Sequence, residues 1–273
     1  MESRLFQFRW INASCYEMKL DNGKVIMFDP YLDRKDPNFT VDDLTTPDYI
    51  FITHIHHDHV MELGQMMRRS DDVKLFCNEL TAPLLVKYFN LRFGQVYGVC
   101  NNDHLRVDGI DIYPTQGKHS RFLKREKEDL GNMYQLAVDD CNAENFDELQ
   151  LFGSTVYTDY TITLPGNLKM FLCGGDRTYS KPYDVAEREK PLLLIRQASN
   201  FKTPEEYADV VASYGARIVL PHHQEHPERR LFMPMQEFVE RANKRLAEIA
   251  PGMTVFNPEQ YKWYEFRLGI QLV

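Results

Sequence analysis

An apolar segment that leads directly into four histidines is the feature that most limits what this chain can fold into. Residues 49–53 form a continuous apolar run of the kind found in strands that are buried on both faces of a sheet. The sequence HIHHDH follows at once. Because His54 and His56 are two residues apart, their imidazoles project to the same side of an extended chain. Asp58 and His59 come next, where the chain turns toward a helix, so the sequence predicts imidazoles and a carboxylate together at one strand end.

This cluster indicates a metal site. Imidazole nitrogen and carboxylate oxygen together suit zinc, iron or manganese. The alternative is an exposed histidine tract that binds metal only adventitiously. The apolar strand that immediately precedes the histidines argues against a solvated tract, and we therefore expect a metal site at the end of this strand.

Strand patterns and helix patterns alternate along the rest of the chain. Asn22-Gly23 lies between two extended runs and marks a hairpin, because both residues tolerate positive φ. No internal repeat and no linker rich in Pro, Gly or Ser divides the sequence. We therefore expect a single domain over residues 1–273, with two sheets and outer helices. The predicted strands are 5–9, 14–19, 24–28, 48–53, 73–77, 109–115, 133–138, 155–163, 168–173, 192–195, 216–220 and 263–268. The predicted helices are 60–69, 79–90, one that begins at 203, and 235–249, whereas 120–130 is predicted as an exposed loop or short helix and 139–149 as irregular.

Composition and charge narrow the function classes. Lys and Arg number 32 and Asp and Glu number 40, so the formal net charge is -8, whereas a nucleic-acid-binding protein usually presents a basic face. The five cysteines are widely spaced without a CxxC pair, which favours a reducing compartment over a disulfide framework. No signal-peptide pattern and no apolar stretch near the ~18 residues of a transmembrane helix is visible. We expect a cytoplasmic protein that binds a small molecule and no nucleic acid, and a homo-oligomer is compatible with the sequence.

The H-x-H-x-D-H pattern after an apolar strand is the signature of the metallo-β-lactamase superfamily. The sequence resembles in particular the branch that contains L-ascorbate-6-phosphate lactonase. Four further elements of that branch stand in the same order along this chain: Asp29-Pro30, His119-Ser120, Gly175-Asp176 and Pro221-His222-His223. The resemblance implies an α/β (α+β) fold, an αββα four-layer sandwich with two central mixed β-sheets.

The resemblance also implies a set of metal ligands. The spacing of the final Pro-x-His element favours His223 as a ligand over His222, although His222 remains the alternative. Asp29 would support a ligand histidine by accepting its other N–H, or would be only a turn residue before proline. One divalent metal would be held by His54, His56 and His119 and a second by Asp58, His59 and His223 (or His222), with Asp176 as the bridge.

A pair of metals implies hydrolysis. Two divalent ions ~3.5–4 Å apart generate a bridging hydroxide at neutral pH and act as Lewis acids on the substrate. Zinc or manganese fits this ligand set, and iron fits as well. Asp58 and Asp176 are therefore candidate catalytic residues as well as ligands.

Substrate contacts are expected beside the ligand loops. Cations near the site would meet a phosphate or carboxylate group of the substrate, whereas the alternative is solvated surface charge. His57 is expected to point away from the metals, and His104 has no motif around it. The candidate substrate-binding residues are Arg121, Arg177, Tyr179, His222 and His226.

Three functions compete at this point. The first is a metal-dependent, lactonase-like hydrolase that uses a metal-bridged hydroxide on a small anionic substrate such as a sugar-phosphate lactone or similar ester. The second is a phosphodiesterase of the N-acyl-phosphatidylethanolamine phospholipase D type. The third is a non-catalytic metal-binding module. Residues 120–151 do not match the lactonase, and insertions of this kind often shape the substrate pocket.

The two adjacent histidines give a direct test. We expect His223→Ala to lower the metal content of the purified protein more than His222→Ala does, because the motif spacing makes His223 the ligand. Elemental analysis of both variants beside the unaltered protein measures this. The reverse order would move the ligand to His222.

Overall fold

The chain builds two mixed β-sheets, each within its own structural unit. A computed structural model describes residues 5–33, 36–119, 146–267 and 270–272. The first unit comprises Met1–Val99, His119–Tyr157 and Pro258–Val273, and the second comprises Cys100–Lys118 and Thr158–Asn257. That the whole chain forms one domain remains a prediction.

The strands and helices of the described residues are as follows. The strands are β1 (Phe6–Asn12), β2 (Cys15–Leu20), β3 (Val25–Phe28), β4 (Tyr49–Phe51), β5 (Lys74–Asn78), β6 (Val96–Val99), β7 (Leu105–Val107), β8 (Ile110–Gln116), β9 (Thr158–Leu164), β10 (Leu168–Cys173), β11 (Leu193–Gln197), β12 (Ile218–His222), β13 (Thr254–Val255), β14 (Tyr264–Phe266) and β15 (Ile270–Leu272). The α-helices are α1 (His57–Val60), α2 (Leu63–Arg68), α3 (Ala82–Phe89), α4 (Phe146–Thr155), α5 (Lys181–Glu189), α6 (Pro204–Ala212), α7 (Glu225–Leu231) and α8 (Met235–Ile249).

The sheet of the first unit has the order β15-β14-β1-β2-β3-β4-β5-β6. Its pairs are antiparallel from β15 to β3 and parallel from β3 to β6. Every residue of β3 and β4 is buried, as expected for strands covered on both faces. Helices α2 and α3 pack on this sheet through Met66 and Leu85, in one core with Ile50 and Leu75. Because β3 and β4 are parallel, Asp29 and Thr53 follow their carboxyl ends at the same edge.

The sheet of the second unit has the order β13-β12-β11-β10-β9-β8-β7. Its pairs are antiparallel from β7 to β10 and parallel from β10 to β13. Helices α6 and α8 bury Tyr207 and Phe238 in one core with Leu194 of β11. Asp176 and His223 come shortly after the carboxyl ends of β10 and β12, the end of a parallel sheet at which ligands commonly bind.

The predicted α/β class is confirmed by these two mixed sheets with flanking helices. The helix predicted from residue 203 is present, and the Oγ1 of Thr203 accepts a hydrogen bond from the backbone N–H of Glu206 at 3.1 Å. Among the described residues, no helix is both long and apolar enough to cross a membrane.

Several elements differ from the sequence-based expectation. The strands β6, β7, β13 and β15 were not predicted, and each is only two to four residues long. Helices α5 and α7 were not predicted either, since each carries a proline, Pro182 and Pro227, which a first helical turn tolerates but a pattern-based reading treats as a break.

The expectation for residues 139–149 was wrong at its carboxyl end, where α4 begins at Phe146. Gly153, Ser154 and Thr155 are weak helix formers, and the helix is stabilised by tertiary contacts, such as the burial of Leu149 in the first unit's core. Because α4 runs to Thr155, β9 begins at 158 rather than at 155. The strand predicted at 133–138 and the loop predicted at 120–130 lie outside the described residues.

Candidate metal centre

Three histidines of the first unit come together as a possible ligand group. One ring nitrogen from each of His54, His56 and His119 lies within 4.8 Å of the other two. His54 and His56 are buried, whereas His119 is partly exposed. His54 follows β4, and His56 stands at the N-terminal boundary of α1. Three convergent imidazole nitrogens suit a transition metal ion.

Hydrogen bonds fix the ring orientation of His54. The hydroxyl of Thr53 donates its proton to Oδ2 of Asp29 at 2.7 Å. Oγ1 of Thr53 is therefore the acceptor in its 3.0 Å contact with Nδ1 of His54. Nε2 of His54 therefore carries the lone pair. That nitrogen lies 2.9 Å from Nδ1 of His56.

Helix α4 fixes the ring of His56 in the opposite tautomer to that of His54, with the proton on Nε2. Its Nε2–H points at the carbonyl oxygen of Gln150 (3.2 Å) and at Oγ of Ser154 (3.0 Å), and the Ser154 hydroxyl itself donates to the Gln150 carbonyl. Nδ1 of His56 therefore carries the lone pair that faces His54. Burial, together with the neighbouring His119, holds the pKa of His56 well below its ordinary value, so the ring is neutral. Two facing lone pairs 2.9 Å apart form an arrangement that a cation between them stabilises.

Gly153 allows α4 to approach His56 this closely. A Cβ atom at this position would overlap the His56 ring at Cδ2 and lie 2.8 Å from the His56 backbone nitrogen. Sequence reasoning missed this contact. The only available signal was the spacing of Phe146, Leu149 and Phe152, three residues apart, which is typical of a helix face.

Asp29 holds His59 in place. Its buried carboxylate accepts from the backbone N–H of Thr53 at 2.8 Å and from Nδ1 of His59 at 2.8 Å. The backbone of Asp29 is left-handed, with φ 43, a strained conformation that often occurs at functional sites. Nε2 of His59 lies 3.8 Å from Oδ2 of Asp58, too far for a hydrogen bond. Asp29 thus makes the contact that the resemblance implies for it.

His57 takes a different position from its neighbours. It is buried and packs edge-on against the ring of Tyr31, with a centroid distance of 6.2 Å. Its Nδ1 lies 3.8 Å from Oδ1 of Asp58. Within the described part of the chain, His57 belongs to none of the possible ligand groups.

In the second unit, Asp176 is held by its own turn. Its Oδ1 accepts from the backbone N–H (2.9 Å) and the hydroxyl (2.7 Å) of Thr178, and its Oδ2 lies 3.2 Å from Nζ of Lys118. Burial raises the pKa of Asp176, but the hydrogen bonds from Thr178 and the charge of Lys118 outweigh it and hold the pKa below the ordinary value. The carboxylate is therefore ionised at neutral pH, as a metal ligand requires.

Two residues that follow Asp176, Arg177 and Tyr179, are candidate substrate contacts from the sequence. The charge of Arg177 is engaged by Glu206 at 2.5 Å, and its guanidinium lies 5.5 Å from the ring of Phe201. The ring of Tyr179 lies 6.0 Å from Nζ of Lys118. Arg121, the other cation singled out from the sequence, lies outside the described residues.

The two adjacent histidines after β12 differ in their contacts. Nε2 of His222 donates to the carbonyl of Cys173 at 3.3 Å. Nδ1 of His223 lies 2.8 Å from Oε1 of Glu225, and Nε2 of His226 lies 3.5 Å from the same oxygen. Glu225 was missed by sequence reasoning, although the spacing His-x-Glu-His was visible. His223, Glu225 and His226 form a possible ligand group, and His222 belongs to no such group among the described residues.

Comparison with known proteins now identifies the family. The model of the metallo-β-lactamase superfamily matches residues 9–178, which is more than half of the chain. The chain belongs to the metallo-β-lactamase superfamily. The resemblance seen in the sequence is thereby confirmed at the level of the superfamily.

The curated relatives are described as metal-dependent hydrolases. A UPF0173 metal-dependent hydrolase from Caldivirga maquilingensis is 27% identical over 119 residues, which cover 41% of this chain and 48% of that protein. A second, from Sulfurisphaera tokodaii, is 26% identical over 120 residues, 42% of this chain and 51% of that protein. The chain thus spans about half the length of the curated relatives that it matches.

Solved structures share the fold over nearly the whole chain. A metallo hydrolase from the archaeon Ignicoccus hospitalis matches with a TM-score of 0.66 at 19% identity, covering 96% of this chain and 98% of that one. An isothiocyanate hydrolase from Delia radicum gut bacteria matches with a TM-score of 0.63 at 18% identity, covering 96% and 99%. At these identities the likeness concerns the fold.

The tight packing of α4 on His56 leads to a prediction. We expect Gly153→Ala to lower the affinity for zinc by about 10- to 100-fold, the usual cost of losing a contact that orients a ligand. Competition with a chromophoric chelator measures this affinity. The matched control is Gly94→Ala, where an added Cβ would meet nothing within 4 Å. Equal affinities in the two variants would show that α4 does not orient His56.

Proposed function

We propose that this protein is a metal-dependent hydrolase of small anionic substrates. The observation that carries the proposal is the pair of lone pairs on His54 and His56, which face one another at 2.9 Å because the other nitrogen of each ring is already used as a donor. Neutral imidazoles oriented in this way are what a metal ion requires. The description of the curated relatives as metal-dependent hydrolases supports the same function.

The ligand assignment follows the family motif residue by residue. When bound, two divalent ions supply a water of lowered pKa and polarise the substrate oxygen. Zinc or manganese fits the nitrogen and oxygen donors, and iron is also compatible. The proposed ligands are His54, His56 and His119 for one ion and Asp58, His59 and His223 for the other, with Asp176 shared.

Residues of this chain prepare the ligands. Thr53 holds Nδ1 of His54, and Asp29 holds Nδ1 of His59, so each ring presents Nε2. These two hydrogen bonds fix the tautomer and the orientation of each ring before a metal binds, which raises the affinity for it. Glu225 contacts Nδ1 of His223 in the same way at 2.8 Å, and we assign it the same supporting role.

The substrate is proposed to be an ester or lactone with an anionic group, such as a sugar-phosphate lactone. Lys118 lies beside Asp176, half exposed, and would attract a phosphate or carboxylate. Tyr179 is close to Lys118 and would contact the same substrate. Arg177 is less suited to this role, because its side chain is 30% exposed against 51% for Lys118, although both cations are paired with a carboxylate. Arg121, His222 and His226 remain candidate contacts.

Elemental analysis of protein purified without an affinity tag or chelator tests the proposal first. About two ions of zinc, manganese or iron per chain are expected, because the motif provides two ligand sets. Activity is then measured on a panel of lactones and on bis-p-nitrophenyl phosphate. Activity on the phosphodiester alone would favour the phosphodiesterase alternative. Full metal occupancy without either activity would favour a non-catalytic module, and failure to take up metal would refute the proposal.

A substitution tests the second ligand set. We expect Asp58→Ala to reduce hydrolysis by more than about 100-fold, because loss of a ligand costs more than loss of a supporting contact. The matched control is Asp72→Ala, an exposed aspartate in the same unit. The rate of hydrolysis and the metal content are compared in both. Wild-type activity in Asp58→Ala would exclude Asp58 from the catalytic site.

A further inference from the structure

Several buried polar side chains surround the glycine turn that precedes Asp176. β10 ends at Cys173, and Gly174 and Gly175 connect it to Asp176. Gly175 has φ 74, a left-handed conformation that glycine adopts without strain. The turn is buried, so its backbone N–H and C=O groups need partners within the protein.

Side chains from three strands supply these partners. Oδ1 of Asp159 on β9 accepts from the N–H of Gly174 at 3.3 Å. Gln197 on β11 donates its Nε2–H to the carbonyl of Gly175 at 2.8 Å, and Nη2 of Arg196 donates to the same carbonyl at 3.3 Å. On the third strand, β12, Nε2 of His222 donates to the carbonyl of Cys173. Consecutive backbone groups are thus held by side chains distant in sequence.

Two of these side chains, Asp159 and Arg196, are ionisable, which is unusual at such depth in a protein. Asp159 is 0% exposed and Arg196 is 1% exposed. Burial raises the pKa of Asp159 to about 7, although the N–H of Gly174 and the charge of Arg196 both lower it. Buried charged side chains are weak evidence for stability, since apolar residues of the same volume often serve as well. A role in fixing the conformation of the turn accounts for these residues better than a contribution to stability does.

We propose that Arg196 and Gln197, together with Asp159, are positioning residues that fix the backbone before Asp176 and thereby place its carboxylate for metal binding. The proposal rests on the ligand role given to Asp176 in the proposed function. The carboxylate is oriented from the other side by Thr178, through 2.9 and 2.7 Å hydrogen bonds to Oδ1. With the backbone held by Gln197 and Arg196 and the side chain by Thr178, Asp176 has little freedom left to lose when a metal binds, and such pre-organisation increases affinity.

The test is the variant Gln197→Met, which keeps the volume of the side chain but removes the donor to Gly175. We expect its affinity for zinc, measured by chelator competition, to fall about tenfold, the equivalent of one hydrogen bond. The visible spectrum of the cobalt-substituted protein is expected to change as well, because the carboxylate ligand is displaced. A purely structural role would leave this spectrum unaltered.

The matched control is Tyr207→Phe. The hydroxyl of Tyr207 donates to the backbone carbonyl of Arg196 at 3.3 Å, so this variant removes a hydrogen bond from the same buried region and leaves in place the side chains that bond Gly174 and Gly175. This variant is expected to lower the melting temperature without altering zinc affinity. Equal zinc affinity and equal cobalt spectra in Gln197→Met and Tyr207→Phe would overturn the proposal.

Two further variants make the outcome unambiguous. Arg196→Lys keeps a positive charge at this position but lacks the guanidinium Nη2 that donates to the carbonyl of Gly175, and it is expected to lower zinc affinity too. If Gln197→Met does not fold, Arg196→Lys becomes the test of the positioning role. Unchanged zinc affinity in Arg196→Lys would then count against the proposal. Asp176→Ala separates the ligand role of Asp176 from the positioning role of Gln197 and Arg196. Wild-type zinc affinity in that variant would refute the ligand role itself, whereas a loss there without a loss in Gln197→Met would refute only the positioning role.

Discussion

The buried carboxylate of Asp29 is the group on which the histidine cluster depends. It accepts from the backbone and the hydroxyl of Thr53 and from Nδ1 of His59. Since the Thr53 hydroxyl is committed as a donor to Asp29, it acts as the acceptor for Nδ1 of His54. One carboxylate therefore sets the tautomers of two histidines, one directly and one through a hydroxyl. Its left-handed backbone shows that the chain accepts local strain to place it there.

Two of the other proposed ligands, His56 and Asp176, are oriented by different means. His56 is held by a helix whose backbone carbonyl and serine accept from its ring, and the absence of a side chain at Gly153 permits this approach. Asp176 is placed by a glycine turn whose backbone is held by buried side chains. In each case the donor atoms are fixed by groups that lie outside the proposed ligand set. Such preparation reduces the ordering that metal binding requires and so increases affinity.

The chemistry of the site follows from donor type more than from charge. Neutral imidazoles and ionised carboxylates suit divalent transition metals, and the lowered pKa of His56 and of Asp176 keeps both in the form that would bind such a metal. The net charge of -8 argues against a nucleic-acid substrate, while Lys118 is the half-exposed cation that the proposed function assigns to a small anion. These features favour a hydrolase whose selectivity is set by groups around the metals.

The sequence by itself determined the histidine motif, the apolar strand before it and the α/β class, because these depend on spacing within one segment and on apolar runs. Only the tertiary structure decided which groups orient the ligands. The contact of His56 with the Gln150 carbonyl joins residues 94 positions apart, and every residue carries a carbonyl, so no sequence pattern marks it. The need for glycine at 153 likewise arises from the approach of another segment. Long-range contacts of this kind leave no local signal, which is why the approach of α4 to His56 and the support of Asp176 were not predicted.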